Sequence, residues 1–440
     1  MIKSVSKFTY CILLAIIFLV YGCTKDEPIT STPIACDSSK LPIVMLHGFL
    51  ASGDTYSNFF QLFKANGYCN NALYVMDRNT LALNDDFNPA VDAFIDEVLL
   101  KTGAEKVNLI GHSAGGGVAY AYLADSIRAL KVNRYAHLAS FVNDAPAGPS
   151  GEIPTINVYS DADKIVAGQE IPGARNINLI VADHYQVATS IEAFQFVYAF
   201  LNNDKPAQTL QAITLETIEL EGKVLTLGEN QAIGNASISV FELNAETGAR
   251  LSEMPTIITN SNATGNFNNV SVKANTAYEF FVDNPSDENF IPLHYYFEPF
   301  KSSNSLIYLR TIPPLGSAAG GFLAGVPKND AQAVAAVFTA TQAIFNLRDE
   351  LFINNVELST AELCSEDQST IALFLYDDND AISSGKIHDG LLANFPFLNA
   401  ADIFMNPASN EFSTITFNDD KVVVPHWPSK TDGFSIVVFD

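Results

Sequence analysis

The chain has 440 residues, 48% of them hydrophobic, and a formal net charge of −25. That length allows two or three domains with substantial cores, and that apolar content excludes wholesale disorder. So large an excess of carboxylates excludes nucleic acid as a partner, since phosphate binding needs clustered Lys and Arg. It would also be repelled by an anionic membrane surface.

Residues 1–22 read as a targeting segment rather than as fold. Lys3 and Lys7 give a basic start, and the apolar run from Cys11 to Tyr21 is too short for a comfortable membrane span. It ends in Leu19-Val20-Tyr21-Gly22-Cys23, which resembles the bacterial lipoprotein box. The resemblance implies cleavage before Cys23, acylation of that cysteine and attachment of the mature chain to a membrane through its lipid. Cys23-Thr24-Lys25-Asp26-Glu27 is similar to the surface-export signal of Bacteroidetes lipoproteins, so an exported lipoprotein of the outer membrane or cell surface is expected. Residues 23–40, with Pro28 and Pro33, read as a tether. Export permits disulfides. For Cys36, Cys69 and Cys364, a Cys36–Cys69 bridge and free buried thiols both stand open. No C-x-x-C or Cys/His spacing marks a metal site.

Residues 41–204 alternate buried-strand and helix patterns, the signature of an α/β domain with a mostly parallel sheet. Strands are expected at Leu41 to Leu46, Ala72 to Met76, Val107 to Gly111, His137 to Asn143, Thr155 to Tyr159 and Ile177 to Val181. Helices are expected at Tyr56 to Asn66, Asn88 to Thr102, Val118 to Asp125 and Ser190 to Asn202. Near Asp204-Lys205-Pro206 the pattern changes to short runs rich in Thr, Val, Ile and Phe between Gly, Asn, Asp and Pro clusters, which reads as all-β. A β-sandwich-like domain is expected over 207–300, and a second β segment packed with it over 301–440. Ala331 to Asn346 fits both helix and strand periods, and its β surroundings favour strand.

The chemistry centres on Gly111-His112-Ser113-Ala114-Gly115, which matches the G-x-S-x-G nucleophile elbow. A serine there sits on a strained strand-to-helix turn, and glycines two positions away on each side avoid collision with the flanking strand and helix. A serine hydroxyl needs an adjacent base, which a third group must orient. Among seven histidines, His184 follows an apolar strand and precedes the last helix, where the base is needed. Asp161 and Asp163 both follow the preceding strand; Asp163, ahead of Ile165 and Val166, is preferred, with Asp144 the outside candidate. The oxyanion is expected to meet the backbone N–H of Ala114 and of Phe49, in His47-Gly48-Phe49. These roles call for no cofactor and no metal.

With these residues in place, Leu41 to about Asn202 resembles the minimal, lid-less secreted bacterial lipases of the α/β-hydrolase superfamily. The likeness runs through Val44-Met45-Leu46-His47-Gly48-Phe49, Ala72 to Asp77, Thr102 to Val107, Tyr159 to Val166 and Gly173 to Asn176. It implies an acid at Asp163 and a base at His184. In Ala182-Asp183-His184 the chain departs from the family, which usually places Gly before His, and sets a carboxylate beside the base. No long insertion interrupts the domain, so no lid of its own is expected. Glu221 to Phe241, Tyr278 to Phe281 and Pro292 to Tyr296 are similar to the C-terminal β domain of two-domain archaeal and actinobacterial lipases, and the first part also to carboxypeptidase-regulatory-type sandwich modules. The aromatic group Phe290, Tyr295, Tyr296, Phe297 and Phe300 suits sandwich core better than an acyl site. The expected function is hydrolysis of carboxylic esters, with a lipid or other hydrophobic ester as substrate. Rival readings are a polyester or glycan-ester hydrolase, an acyltransferase, or a non-enzymatic adhesion or glycan-capture lipoprotein.

Overall fold

The computed structural model describes residues 34–208, 215–388, 390–407 and 411–440. The targeting segment, Cys23 and most of the tether lie outside them. No helix among the described residues is long and apolar enough to cross a membrane.

The N-terminal half builds one six-stranded parallel sheet from β1 (Ile43–Leu46), β2 (Leu73–Met76), β3 (Val107–His112), β4 (Val132–Leu138), β5 (Thr155–Tyr159) and β6 (Arg175–Asn178). Their order across the sheet is β2-β1-β3-β4-β5-β6. The central strands β1 and β3 are buried at every position, as a sheet covered on both faces requires. Alternate side chains feed opposite cores. Ile43, Met45 and Ile110 join Phe59 and Phe63 of α1 (Ser57–Ala65) and, further along the chain, Phe194 and Tyr198. Val44, Leu46 and Leu109 meet Val91, Ile95 and Val98 of α2 (Asn88–Thr102) and Tyr122 and Leu123 of α3 (Ala114–Leu123). Pro89 opens α2, and Gly103, at φ +70°, closes it in the left-handed conformation glycine adopts without a Cβ penalty. A short α4 (Ser126–Ala129) and α5 (Gln186–Thr189) precede α6 (Ile191–Asn202), which Ser190 caps by accepting from Ala193 N.

Two strand expectations need correction. The fourth strand starts at Val132, not His137, which falls near its end. Its early polar residues have partners on other elements: the Asn133 amide donates to Asn108 Oδ1 at 3.0 Å and the Arg134 guanidinium reaches the Phe200 carbonyl. The apolar run 177–181 is not a buried strand. β6 is an edge strand that stops at Asn178, and Ile180 and Val181 are exposed.

Beyond residue 215 the chain is almost entirely β. Strands Asn266–Lys273, Thr217–Thr226 and Asn304–Thr311 form a three-stranded sheet. An eight-stranded sheet takes strands from both the 237–297 and the 335–439 stretches, so the two β segments share it, while a four-stranded sheet lies wholly within residues 351–425. The expected strand within Ala331 to Asn346 is Ala335–Thr339. It alternates between two cores, Ala336 on one face and Ala335 and Val337 on the other, so this sheet too is covered on both sides. Tyr295 is buried in one core, against which Phe290, Phe297 and Phe300 pack, and Tyr296 is buried in the core on the other face, as the sandwich-core reading expects.

The β region seats on the hydrolase half through Leu225, Leu306 and Tyr308, which enter the core on the α1 side of the sheet. Polar ties flank them: Tyr308 donates to Asp77 at 2.9 Å, and half-buried Arg310 pairs with Asp54 and donates to Ser52 Oγ at 3.0 Å.

Candidate active site

Ser113 stands between the end of β3 and the start of α3 with φ +52° and ψ −124°, a conformation costly for a side-chain-bearing residue. The surroundings enforce it. Its N–H donates to Leu138 O at 2.9 Å, and its carbonyl accepts from Ser140 Oγ at 2.6 Å. The flanking glycines are sterically required. A Cβ at Gly115 would lie 2.2 Å from Leu46 O, and one at Gly111 would lie 2.8 Å from Gly115 O. Gly48 packs on the serine itself, where an added Cβ would be 3.1 Å from Ser113 Cβ and 3.5 Å from its Oγ. The turn carrying Phe49 therefore lies against Ser113, and Ala114 heads α3, whose first-turn N–H groups and dipole favour negative charge.

His184 Nδ1 lies 2.7 Å from Asp163 Oδ2, with both side chains almost fully buried. The other carboxylate oxygen of Asp163 accepts the N–H of Ile165 (2.8 Å) and of Val166 (3.0 Å), which fixes its orientation. His184 Nε2 is buried without a hydrogen-bond partner. The remaining histidines are engaged differently. His47 contacts Gly48 O and receives Arg78 N, and burial pushes it down to about 4. His137 lies between Tyr135 OH and Phe141 O, and His294 between Glu279 and Asp432 O. His426 contacts Asn406 O and buried Ser413, and His388 holds Tyr376 O. Among the described residues only His184 combines a carboxylate on Nδ1 with an unoccupied Nε2. Asp161 and Asp144, the other acid candidates, are exposed.

His112 ties the elbow to the base. Its Nε2 lies 3.0 Å from His184 O and the two rings are 4.8 Å apart. Burial, then the neighbouring His184, holds the His112 imidazole well below the usual histidine range. A cleft of about 300 Å³ opens beside Ala114, between Arg78, Val118 and Phe141, and the rim side chains Leu83 and Phe141 are 73% and 66% exposed.

Three contributors were not anticipated from sequence. The Phe397 ring lies 5.8 Å from that of His184, at 22° to it, on a residue with φ +75°. Arg348 and Ala343 reach the carboxylate of Asp183, next to the base. Only the Asp183 departure hinted at them. Among the described residues, the group nearest to cation-binding geometry is Asp377, Asp378 and Asp380, with oxygens within 4.8 Å; it lies outside this site.

Residues 42–167 match the family model of the alpha/beta hydrolase fold, and residues 216–314 that of the lipase C-terminal domain. Its N-terminal domain therefore has the α/β-hydrolase fold. More particularly, its hydrolase domain is followed by a β region of the lipase C-terminal type. Solved structures similar to it include a CIB-like hydrolase of Thermoplasma acidophilum, at 18% identity over 39% of this chain and 90% of that one, with a TM-score of 0.30. Aspergillus fumigatus lipase B matches at 17% identity over 44% of this chain and 62% of that chain, with a TM-score of 0.31. Naproxen esterase of Bacillus subtilis matches at 15% over 38% and 86%, with a TM-score of 0.29.

Proposed function

We propose that the protein hydrolyses carboxylic esters of hydrophobic acids or alcohols by a Ser-His-Asp mechanism. The observation that carries the reading is the Asp163–His184 pair, with its outer nitrogen unoccupied, on a loop bonded to the residue before a strained elbow serine. Ser113 Oγ attacks the ester carbonyl as its proton passes to His184 Nε2. The N–H groups of Phe49 and Ala114 hold the oxyanion, worth about 3–4 kcal/mol per donor in comparable sites. Collapse expels the alkoxide, which takes the proton from His184. Water then attacks the acyl-serine, losing its proton to the same nitrogen, and the acid leaves as Ser113 is restored. Asp163 keeps Nδ1 as the donor nitrogen and stabilises the imidazolium.

The display of Leu83 and Phe141 supports a hydrophobic ester substrate, such as a lipid. In this reading the mature chain is an exported lipoprotein anchored through Cys23, with residues 41–204 catalytic and the β region covering the site. Turnover of p-nitrophenyl esters from two to eighteen carbons tests the proposal. Ser113→Ala should lower kcat at least about 10⁴-fold while leaving the fold intact. Undiminished turnover in that variant removes Ser113 from the mechanism.

A further inference from the structure

Asp183, one residue before His184, is fully buried. Its two oxygens face different parts of the molecule. Oδ1 accepts Tyr185 N at 2.9 Å and Gln186 N at 2.8 Å, which shapes the turn of the base ahead of α5. Oδ2 accepts Ala343 N at 3.1 Å and Arg348 Nη1 at 3.0 Å, donors 160 and 165 residues away. The turn needs only the first set. The second joins the hydrolase domain to a loop of the β region.

That loop is internally braced. Arg348 is gripped by Asp349, Nε at 3.0 Å and Nη2 at 2.8 Å, and its guanidinium lies 4.4 Å from the Phe345 ring centre. Asp349 in turn accepts Phe345 N at 2.8 Å and Gln342 Nε2 at 2.9 Å. Beyond Asp183 the two loops also meet where Thr189 Oγ1 donates to the Thr341 carbonyl and Gln186 Nε2 to Gln342 at 3.4 Å. A rigid loop of one region is thus bonded to both ends of the segment 183–189. Phe397, from the same region, lies beside the His184 ring.

We propose that Asp183 is a positioning residue through which the β region holds the loop of His184, so that turnover at Ser113 depends on the contact of Asp183 with Ala343 and Arg348. This rests on His184 acting as the base. The imidazole is aimed by Asp163 at one ring nitrogen, while its backbone is fixed by His112 at its carbonyl and by Asp183 one residue earlier. A base displaced by even about 1 Å loses much of its effect, because proton transfer requires a near-attack geometry. The β region is then part of the catalytic apparatus as well as a cover.

The test uses the full mature chain with Arg348→Leu, Asp183→Asn and the double variant. Asp183→Asn keeps an oxygen for the turn but presents an amide to the Ala343 and Arg348 donors. Each single variant should lower kcat for p-nitrophenyl butyrate by roughly 10- to 100-fold with KM within about twofold, the range seen when supports of a reactive group are removed. The double variant should be no slower than the worse single, since both act through one contact. Amide hydrogen exchange over residues 182–189 should quicken about tenfold in Arg348→Leu, well below its melting temperature. A lower Tm with unchanged kcat, additive losses, or unchanged exchange each overturns the proposal. A wild-type chain inert toward every ester would sink the hydrolase reading instead, and the exchange measurement would still decide whether Arg348 holds the base loop.

Discussion

The ring of His112 points its Nε2 at the main-chain oxygen of His184, 3.0 Å away. A carbonyl only accepts, so Nε2 carries the proton, and the neutral form is the one burial favours. The residue before the elbow serine therefore anchors the backbone of the proposed base. His112→Phe keeps the volume and removes that donor. It should reduce kcat by about tenfold or more, leave KM nearly unchanged, and still allow a fluorophosphonate to label Ser113. Unchanged kcat would show that the carbonyl contact does not aim the base.

The glycines around the elbow differ sharply in what they tolerate. A methyl at Gly115 would strike Leu46 O at 2.2 Å, whereas one at Gly117 would meet nothing within 4 Å. Gly115→Ala should lose more than about 3 kcal/mol or fail to fold, since backbone has to move. Gly117→Ala lies inside α3 and should gain about 1 kcal/mol from helix propensity. Urea midpoints of the two variants test the contrast, which fails if both change stability alike.

Cys36 and Cys69 form a disulfide across 33 residues of sequence separation, ahead of β1 and just after α1. Closing such a loop stabilises by about 3–4 kcal/mol in the chain-entropy model. Dithiothreitol should lower the Tm, and Cys36→Ser with Cys69→Ser should reproduce the shift. Cys364 is buried and its thiol is pushed up to about 12, by burial first and then by Asp349. It should resist maleimide until the protein unfolds; prompt labelling of the folded chain would contradict that packing.

Stability should fall on mild acidification in a defined window. Burial pushes both His47 and His137 from 6.5 down to about 4. Unfolded chains take up protons there below pH 6.5 while the folded protein does not until near pH 4. Each therefore contributes stability that is fully present above 6.5 and is lost, by about 3 kcal/mol, as pH drops to 4. Urea titrations at pH 7.5 and 4.5 measure the loss. His137→Gln should be less stable at pH 7.5 yet show a smaller drop between the two; an equal drop would remove His137 from the account.

The site was legible where local pattern and chemistry coincide. The six-residue buried β3 followed by glycines around one serine marks the elbow, and Pro89 and Gly103 bound α2 at Asn88–Thr102 as expected. β4 was misread because its polar residues find partners, Asn108 and Phe200, that no window of sequence contains. The 177–181 run misled because an edge strand can end early and leave Ile180 and Val181 in solvent. Arg348 and Phe397 were invisible beside His184, since tertiary packing alone brings them there from far along the chain. Asp183 showed as a departure from the family, and its reason appears only with the loop that binds it.

The most direct test of the central claim is intact mass and peptide mapping after exposure to a fluorophosphonate. The account predicts one adduct, on Ser113, formed rapidly by the wild-type chain and at least about 10³-fold more slowly by His184→Ala, with none at that position in Ser113→Ala. A wild-type protein that stays unlabelled, or that carries the adduct on another serine, would contradict it.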